Sequence, residues 1–233
     1  MNGYVRLAHY LGPDQPVYGL QAWGVDGQQE LITEIQAMAA SYLEAIRRLQ
    51  PEGPYQLGGW SVGGIVAFEM AQQLLTQHQK VALLALFDAY IPSKLGVKRD
   101  DAELLEGFFH DVPLSVDYLR QLDSSQQMAY VLKQAQKIGK LPPEELIPRL
   151  LHRFQVYKTN IRAGQKYEPR IYPGRITFFQ ANSQPVEHPV DSAAWSMLAK
   201  GGMDIHHVWG SHDTLLQEPS VQTVAQWLKM SLL

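Results

Sequence analysis

The chain has 233 residues, with 18 glycines, 14 prolines and no cysteine, and it is 45% hydrophobic and 18% charged. This composition indicates one globular domain with a full hydrophobic core and excludes a disordered or collagen-like chain. The formal net charge of −3 argues against a nucleic-acid or anionic-membrane partner, and the absence of cysteine excludes disulfides, thiolate metal sites and a cysteine nucleophile.

The first half of the chain alternates short apolar runs with longer amphipathic stretches, which is typical of an α/β fold with a mainly parallel sheet. We predict strands over residues 17–22, 55–58 and 81–87, and helices over residues 30–49 and 62–77. The third strand, VALLALF, is apolar throughout, as expected when helices cover both faces of a sheet.

The pattern changes between about residues 93 and 166, where no strand is predicted. Helical spacing indicates helices over residues 101–110, 115–122, 125–138 and 144–163, with Gly139 and Gly164 at positions typical of helix ends. A long helical insertion in such a sheet often forms a lid over the site. The alternative is a second packing layer with no gating role.

After the insertion the strand pattern returns. We predict strands over residues 175–180 and 204–208, and helices over residues 195–198 and 220–230. The expected architecture is therefore a single α/β domain over residues 1–233, with a mainly parallel sheet and a helical lid insertion at about 93–166. The longest wholly apolar run is much shorter than the roughly 20 residues that span a bilayer. The first residues contain no signal-peptide hydrophobic region, so we expect a cytoplasmic protein.

Residues 59–63, GWSVG, fit the pattern G-x-S-x-G, between a predicted strand and a predicted helix. In this context the turn projects the serine hydroxyl above the sheet, and the glycines prevent steric overlap in the tight turn. Ser61 is the candidate nucleophile, and the backbone N–H of Val62 is a candidate oxyanion donor at the helix N-terminus. The alternative is a glycine-rich turn in which the serine is incidental.

A serine hydroxyl needs a neighbouring base, and His212 is the candidate among eight histidines. It follows the last predicted strand, in the loop WGSHDT. His206 and His207 lie within that strand, so we expect them to pack or to face solvent. A metal site made of these three histidines and Asp213 lacks the usual ligand spacing, so no metal is expected.

The acid that orients the histidine has more than one candidate. Asp88 directly follows the apolar strand 81–87 and lies 27 residues after Ser61, at the sheet edge where active-site residues collect. Such a residue is either a solvated strand end or a site residue. Glu187 and, further on, Asp191 follow the next predicted strand, and Glu187 is the second candidate.

Four segments together resemble the thioesterase domains that end nonribosomal peptide synthetases and polyketide synthases, which belong to the α/β-hydrolase superfamily. The segments are PYQLGGWSVGGIVAFEMAQQL, LLALFDAY, YPGRITFFQA and HHVWGSHDTLLQEPSV. The resemblance runs from about Tyr4 to the C-terminus and is weakest in the helical insertion. It implies that Ser61 accepts the acyl group, that His212 is the general base and then acid, and that Asp88 orients His212.

The resemblance also implies a reaction and a partner. Ser61 would attack a thioester on the phosphopantetheine arm of an acyl or peptidyl carrier protein. Water would then release an acid, or an internal amine or hydroxyl would release a macrocycle, and the sequence does not choose between them. No metal or diffusible cofactor is implied.

One feature departs from the family pattern. Its domains begin with a strand and a His-Pro-x-Gly-Gly type loop that supplies a second oxyanion N–H, whereas NGYVRLAHYLGPDQPVYGLQ is similar to the family segment that comes after that loop. We therefore expect the strand and the loop to be missing, and loss of one oxyanion donor lowers kcat by roughly 10²–10³-fold. The alternative functions are a stand-alone type II editing thioesterase, a catalytically impaired carrier-docking domain, and a lipase or esterase that acts on oxygen esters.

Overall fold

Four parallel strands form one sheet in the computed structural model, which describes residues 2–91, 98–183 and 192–232. The helices and strands, in chain order, are α1 (Asn2–Leu11), α2 (Ile35–Arg47), β1 (Tyr55–Trp60), α3 (Val62–Thr76), β2 (Val81–Phe87), α4 (Asp101–Phe108), α5 (Val116–Leu119), α6 (Ser124–Lys137), a 3₁₀ turn (Glu144–Leu146), α7 (Ile147–Lys166), β3 (Ile176–Ser183), α8 (Ser192–Leu198), β4 (Met203–Ser211) and α9 (Ser220–Leu232).

The strands pair in the order β1-β2-β3-β4, and each described pair is parallel. Trp60 at the end of β1 lies opposite Phe87 at the end of β2, which in turn lies opposite Phe179 of β3. The carboxyl ends of the strands therefore meet at one edge of the sheet. The predicted fold class, an α/β fold with a parallel sheet, is confirmed.

Alternating residues of β2 reach two separate apolar layers, because successive side chains of a strand point to opposite faces. Leu84 and Leu86 pack with α2 and α3, whereas Ala85 and Phe87 pack with α1 and α9. Helices thus cover both faces of the sheet, which explains why the sequence of this strand is apolar throughout.

The helices between β2 and β3, here called the helical segment (residues 98–166), have an apolar cluster of their own. Its buried residues are Ala102, Leu104, Leu105, Phe109, Val112, Leu119, Val131, Ala135, Phe154 and Ile161. Capping boxes at Asp100 and Asp123 begin α4 and α6. None of the helices in the described ranges is both long and apolar enough to cross a bilayer.

Of the two glycines predicted at helix ends, the structure places one just after a helix and the other inside a helix. Gly139 follows α6 with a φ of +69°, as expected for a residue just beyond a helix. Gly164 instead lies inside α7, so that prediction is wrong. A Cβ on Gly164 would lie 3.2 Å from the Ile65 side chain and 3.3 Å from that of Val62. The glycine therefore allows α7 to approach α3 closely.

The strand predicted over residues 17–22 is also wrong, because this segment is irregular and pairs with no strand in the described residues. Its apolar side chains remain outside the core, with Tyr18 71% exposed. A strand is stable only where a neighbour satisfies its backbone and covers its apolar side chains. By contrast, residues 2–11 form the helix α1, which the sequence analysis did not identify.

Removal of the Phe68 ring from α3 is expected to destabilise the protein strongly. Phe68 is fully buried, and its ring lies 4.9 Å from the ring of Trp195 and 5.7 Å from that of Tyr172. Phe68→Ala should lower the free energy of unfolding by about 3–5 kcal/mol, measured by urea denaturation. Met230→Ala, on the exposed face of α9, should change it by no more than about 0.5 kcal/mol. Equal effects of the two substitutions would contradict this account of the core.

Candidate active site

Ser61 lies in the sharp turn between β1 and α3, at the carboxyl edge of the sheet. Its φ of +55° and ψ of −128° are rare for a residue with a side chain. The turn is held by two hydrogen bonds, from the Ser61 N–H to the Phe87 carbonyl (3.0 Å) and from the Gly64 N–H to the Ser61 carbonyl (2.9 Å). The serine is thus fixed in a strained conformation, which is common for residues with a chemical role.

Two of the glycines around Ser61, Gly59 and Gly64, are required by close approaches of neighbouring atoms. A Cβ on Gly59 would lie 2.1 Å from the carbonyl oxygen of Gly63, and one on Gly64 would lie 2.5 Å from the Cβ of Ala89. Neither position has room for a larger residue unless the backbone moves. Gly59 and Gly64 of the motif thus have a steric cause in this structure. Among the described residues, a Cβ on Gly63 would meet only the Tyr4 hydroxyl oxygen, at 3.6 Å.

Asp88 directly follows β2 and is fully buried, with a φ of +47°. Its backbone N–H donates to the Phe179 carbonyl (2.8 Å), and its Oδ1 accepts a hydrogen bond from the Ala181 N–H (2.9 Å). A buried carboxylate is costly unless hydrogen bonds and opposite charge compensate it. The end of β3 supplies part of that compensation.

His212 follows β4 and also compensates the buried carboxylate of Asp88. Its Nδ1 lies 2.8 Å from Asp88 Oδ2, so the two residues predicted as base and acid are in direct contact. Trp60, which immediately precedes Ser61, donates from its ring Nε1 to the His212 carbonyl (3.0 Å), and the two ring centroids are 4.7 Å apart. The sequence analysis did not identify this role of Trp60, although the residue lies inside the elbow motif.

The ring nitrogen of His212 that does not face Asp88 is Nε2. Among the described residues, the Ser61 hydroxyl makes no hydrogen bond with this ring. Hydrogen bonds between a catalytic serine and its base are often long before substrate binds.

Val62 begins α3, and the first N–H groups of a helix have no acceptor within it. These groups and the partial positive charge of the helix end stabilise nearby anions.

Other predicted candidates lie elsewhere. His206 stacks against Trp227 with ring centroids 4.3 Å apart, and burial lowers its pKa because the charged form is disfavoured. His207 is exposed. Glu187 and Asp191 lie outside the described residues. Within the described ranges, no three histidine, aspartate or glutamate residues are placed to hold a metal ion.

A cavity of about 10 Å³ lies beside the elbow, between α3, the residues after β2, and α7. Its lining residues are Val62, Ile65, Tyr90, Ile161 and Gly164. This volume is about that of one water molecule. A larger groove, about 360 Å³, lies between α2 and the opposite end of α3, remote from Ser61, and we assign it no part in the chemistry.

Comparison with known proteins gives consistent matches. The family described as "Thioesterase domain" matches residues 2–230. The chain is 30% identical over 234 residues to a dimodular nonribosomal peptide synthase of Bacillus subtilis (strain 168), a match that covers 98% of this chain and 10% of that protein. It therefore spans a small part of the length of this curated relative.

Solved structures give the same result. A four-domain nonribosomal peptide synthetase in its holo form, crystallised with AMP and glycine, superposes with a TM-score of 0.87 at 29% identity, over 99% of this chain and 18% of that chain. RedJ, a thioesterase from the prodiginine pathway of Streptomyces coelicolor, has a TM-score of 0.70 at 20% identity, over 99% of this chain and 85% of its own. At that identity the second match supports the fold alone.

The elbow geometry predicts that Gly59→Ala severely destabilises the protein, because the new Cβ would overlap the Gly63 carbonyl. We expect a loss of about 3 kcal/mol or more in the free energy of unfolding, measured by urea denaturation. Gly19→Ala is the matched control, since no atom lies within 4 Å of its Cβ position. A Gly59→Ala protein as stable as this control would show that the turn is not constrained as described.

Proposed function

The chain belongs to the thioesterase domain family, and we propose that Ser61, His212 and Asp88 form its catalytic triad. The hydrogen bond between His212 Nδ1 and buried Asp88 Oδ2 (2.8 Å) is the observation that carries the proposal. Ser61, which is held at a positive φ, lies on the same edge of the sheet and supports the proposal. A serine, a histidine and a buried carboxylate in this arrangement support nucleophilic acyl transfer.

In the first step, the Ser61 oxygen forms a bond to the thioester carbonyl carbon, and the Ser61 proton passes to His212 Nε2. The carbonyl electron pair moves onto oxygen, beside the Val62 N–H. The carbon–sulfur bond then breaks, and the thiolate takes the proton from His212. Asp88 accepts the Nδ1–H bond throughout, which fixes the tautomer and stabilises the imidazolium.

In the second step, a new nucleophile attacks acyl-Ser61. Water would give an acid, whereas an amine or hydroxyl of the chain itself would give a macrocycle. We further propose that the thioester arrives on the phosphopantetheine arm of a carrier protein. Matches to nonribosomal peptide synthetases support this partner.

We propose that the helical segment is a lid over this site. Most of its buried apolar residues form a cluster distinct from the two that cover the sheet, and the segment meets one of these two at Ala163 and Val62. It also borders the cavity beside Val62 through Ile161 and Gly164. Since this cavity holds about one water molecule, an acyl chain can enter it only if the helical segment shifts relative to α3.

Mixing the protein with a simple acyl-pantetheine thioester tests the proposed function. Intact mass spectrometry should show a gain equal to one acyl group, and Ser61→Ala should abolish both this adduct and thioester cleavage. Ser231→Ala, at the far end of α9, is the matched control and should behave as the wild type. Carrier binding without any adduct on a folded wild-type protein would instead support a docking domain, and faster cleavage of matched oxygen esters would support an esterase.

The choice between products is tested with an acyl-pantetheine chain that ends in a free amine. Hydrolysis releases the linear acid, and cyclisation releases a product lighter by one water. Mass analysis of the released product distinguishes the two outcomes.

Asp88→Asn should lower kcat by about 10⁴-fold while the protein remains folded, because an amide favours the wrong histidine tautomer. The measurement is steady-state thioester cleavage, with circular dichroism as the test of folding. Asp204→Asn is the control, since Asp204 lies on the surface, where it forms an ion pair with Arg175 (2.7 Å). If kcat fell by less than tenfold in Asp88→Asn, another residue would have to orient His212.

A further inference from the structure

We propose that the Tyr4 hydroxyl donates a hydrogen bond to the oxyanion that forms when Ser61 attacks the substrate carbonyl. This inference rests on the proposed function of Ser61. It assigns a catalytic role to a residue that neither the elbow motif nor the triad contains.

The position of Tyr4 carries the proposal. The Tyr4 oxygen accepts a hydrogen bond from the backbone N–H of Trp60 (2.7 Å), the residue immediately before Ser61. The same oxygen lies 3.6 Å from the position that a Cβ on Gly63 would occupy. The hydroxyl therefore lies beside the elbow, near the two residues that flank Ser61 and Val62 in sequence, and the proposal is that it reaches the same carbonyl oxygen as the Val62 N–H.

The Tyr4 proton is available for donation. A phenolic hydroxyl has one proton and can also accept hydrogen bonds. In the described part of the chain, its oxygen acts as the acceptor for Trp60, and no acceptor takes its proton. Burial raises the pKa of Tyr4 above its usual range, so the group remains protonated at neutral pH.

The packing of α1 holds Tyr4 in this position before substrate arrives. Leu7 is buried in the cluster that α1 shares with α9. A Cβ on Gly3 would lie only 2.8 Å from the Leu216 Cβ, so α1 lies very close to the chain that follows His212. Because its position is already fixed, the hydroxyl needs little reorganisation when negative charge develops.

The proposed role of Tyr4 adds no reactant to the attack of Ser61 on the thioester. The Ser61 oxygen forms its bond to the carbonyl carbon, and the π electron pair moves onto the carbonyl oxygen. That oxygen then accepts hydrogen bonds from the Val62 N–H and the Tyr4 O–H. Tyr4 keeps its proton. Both hydrogen bonds to the carbonyl oxygen weaken when the electron pair returns to the carbon–oxygen bond and the carbon–sulfur bond breaks.

The test is Tyr4→Phe, which keeps the ring and removes the hydroxyl. Loss of one oxyanion donor should lower kcat for thioester cleavage about 10²-fold, with KM changed by less than threefold. Tyr10→Phe is the matched control on the same helix, since its hydroxyl donates to Glu218 Oε1 (2.8 Å) on the protein surface. This control should keep wild-type kcat and KM.

Two inhibitors separate oxyanion stabilisation from a structural role. A boronic acid forms a tetrahedral serine adduct, so its affinity should fall in Tyr4→Phe by about the same factor as kcat. A pantetheine thioether has no carbonyl oxygen, and its affinity should stay within threefold of the wild type. If both affinities fall together, or if kcat does not change, the role assigned to Tyr4 is wrong.

Failure of this inference is distinguishable from failure of the proposed function. If wild type forms the acyl adduct and Tyr4→Phe is equally active, only the role of Tyr4 fails. If wild type forms no Ser61 adduct with a thioester and no boronate adduct, the proposed function fails and the Tyr4 role fails with it.

Discussion

The site depends on one steric constraint, the close approach of β1 to the start of α3. The backbone of Gly59 lies so near Gly63 that any Cβ there would overlap the carbonyl oxygen. This approach forces Ser61 to a positive φ and directs the first N–H groups of α3 toward the same edge of the sheet. The positions of the candidate nucleophile and of the Val62 N–H are therefore consequences of a single turn.

The parallel register of the sheet places the remaining groups beside that turn. β2 ends opposite β1, so Asp88 follows directly beside the elbow, and the Ala181 N–H of β3 reaches its carboxylate. The buried charge of Asp88 is compensated by this N–H and by His212, which follows β4. Asp88 and His212, 124 positions apart, are thus joined by a hydrogen bond whose carboxylate end is fully buried, which strengthens the interaction.

The sequence predicts the parts of this arrangement that arise from local patterns. The apolar run of β2, the glycine turn around Ser61 and the glycine after α6 have local physical causes, and the structure shows each of them close to its predicted position. The role of Trp60 depends on contact with His212, far away in sequence, and no local pattern shows it. The sequence around Gly164 predicts a helix end, but the residue lies inside α7, where its missing side chain allows α7 to pack closely against α3. The strand predicted over residues 17–22 has suitable residues but lacks a described partner, because sheet pairing is a tertiary property.

The triad candidates and the proposed lid rest mainly on different apolar clusters. The triad candidates are fixed by strands whose apolar residues pack in the two clusters on either side of the sheet. The helical segment has its own cluster and meets the site mainly along α7, where Gly164 lies against Val62 and Ile65. If the helical segment is the lid proposed above, substitutions inside its cluster change the space open to an acyl chain without moving Asp88 or His212. The shape of the proposed acyl pocket can then vary while the geometry of the candidate triad remains fixed.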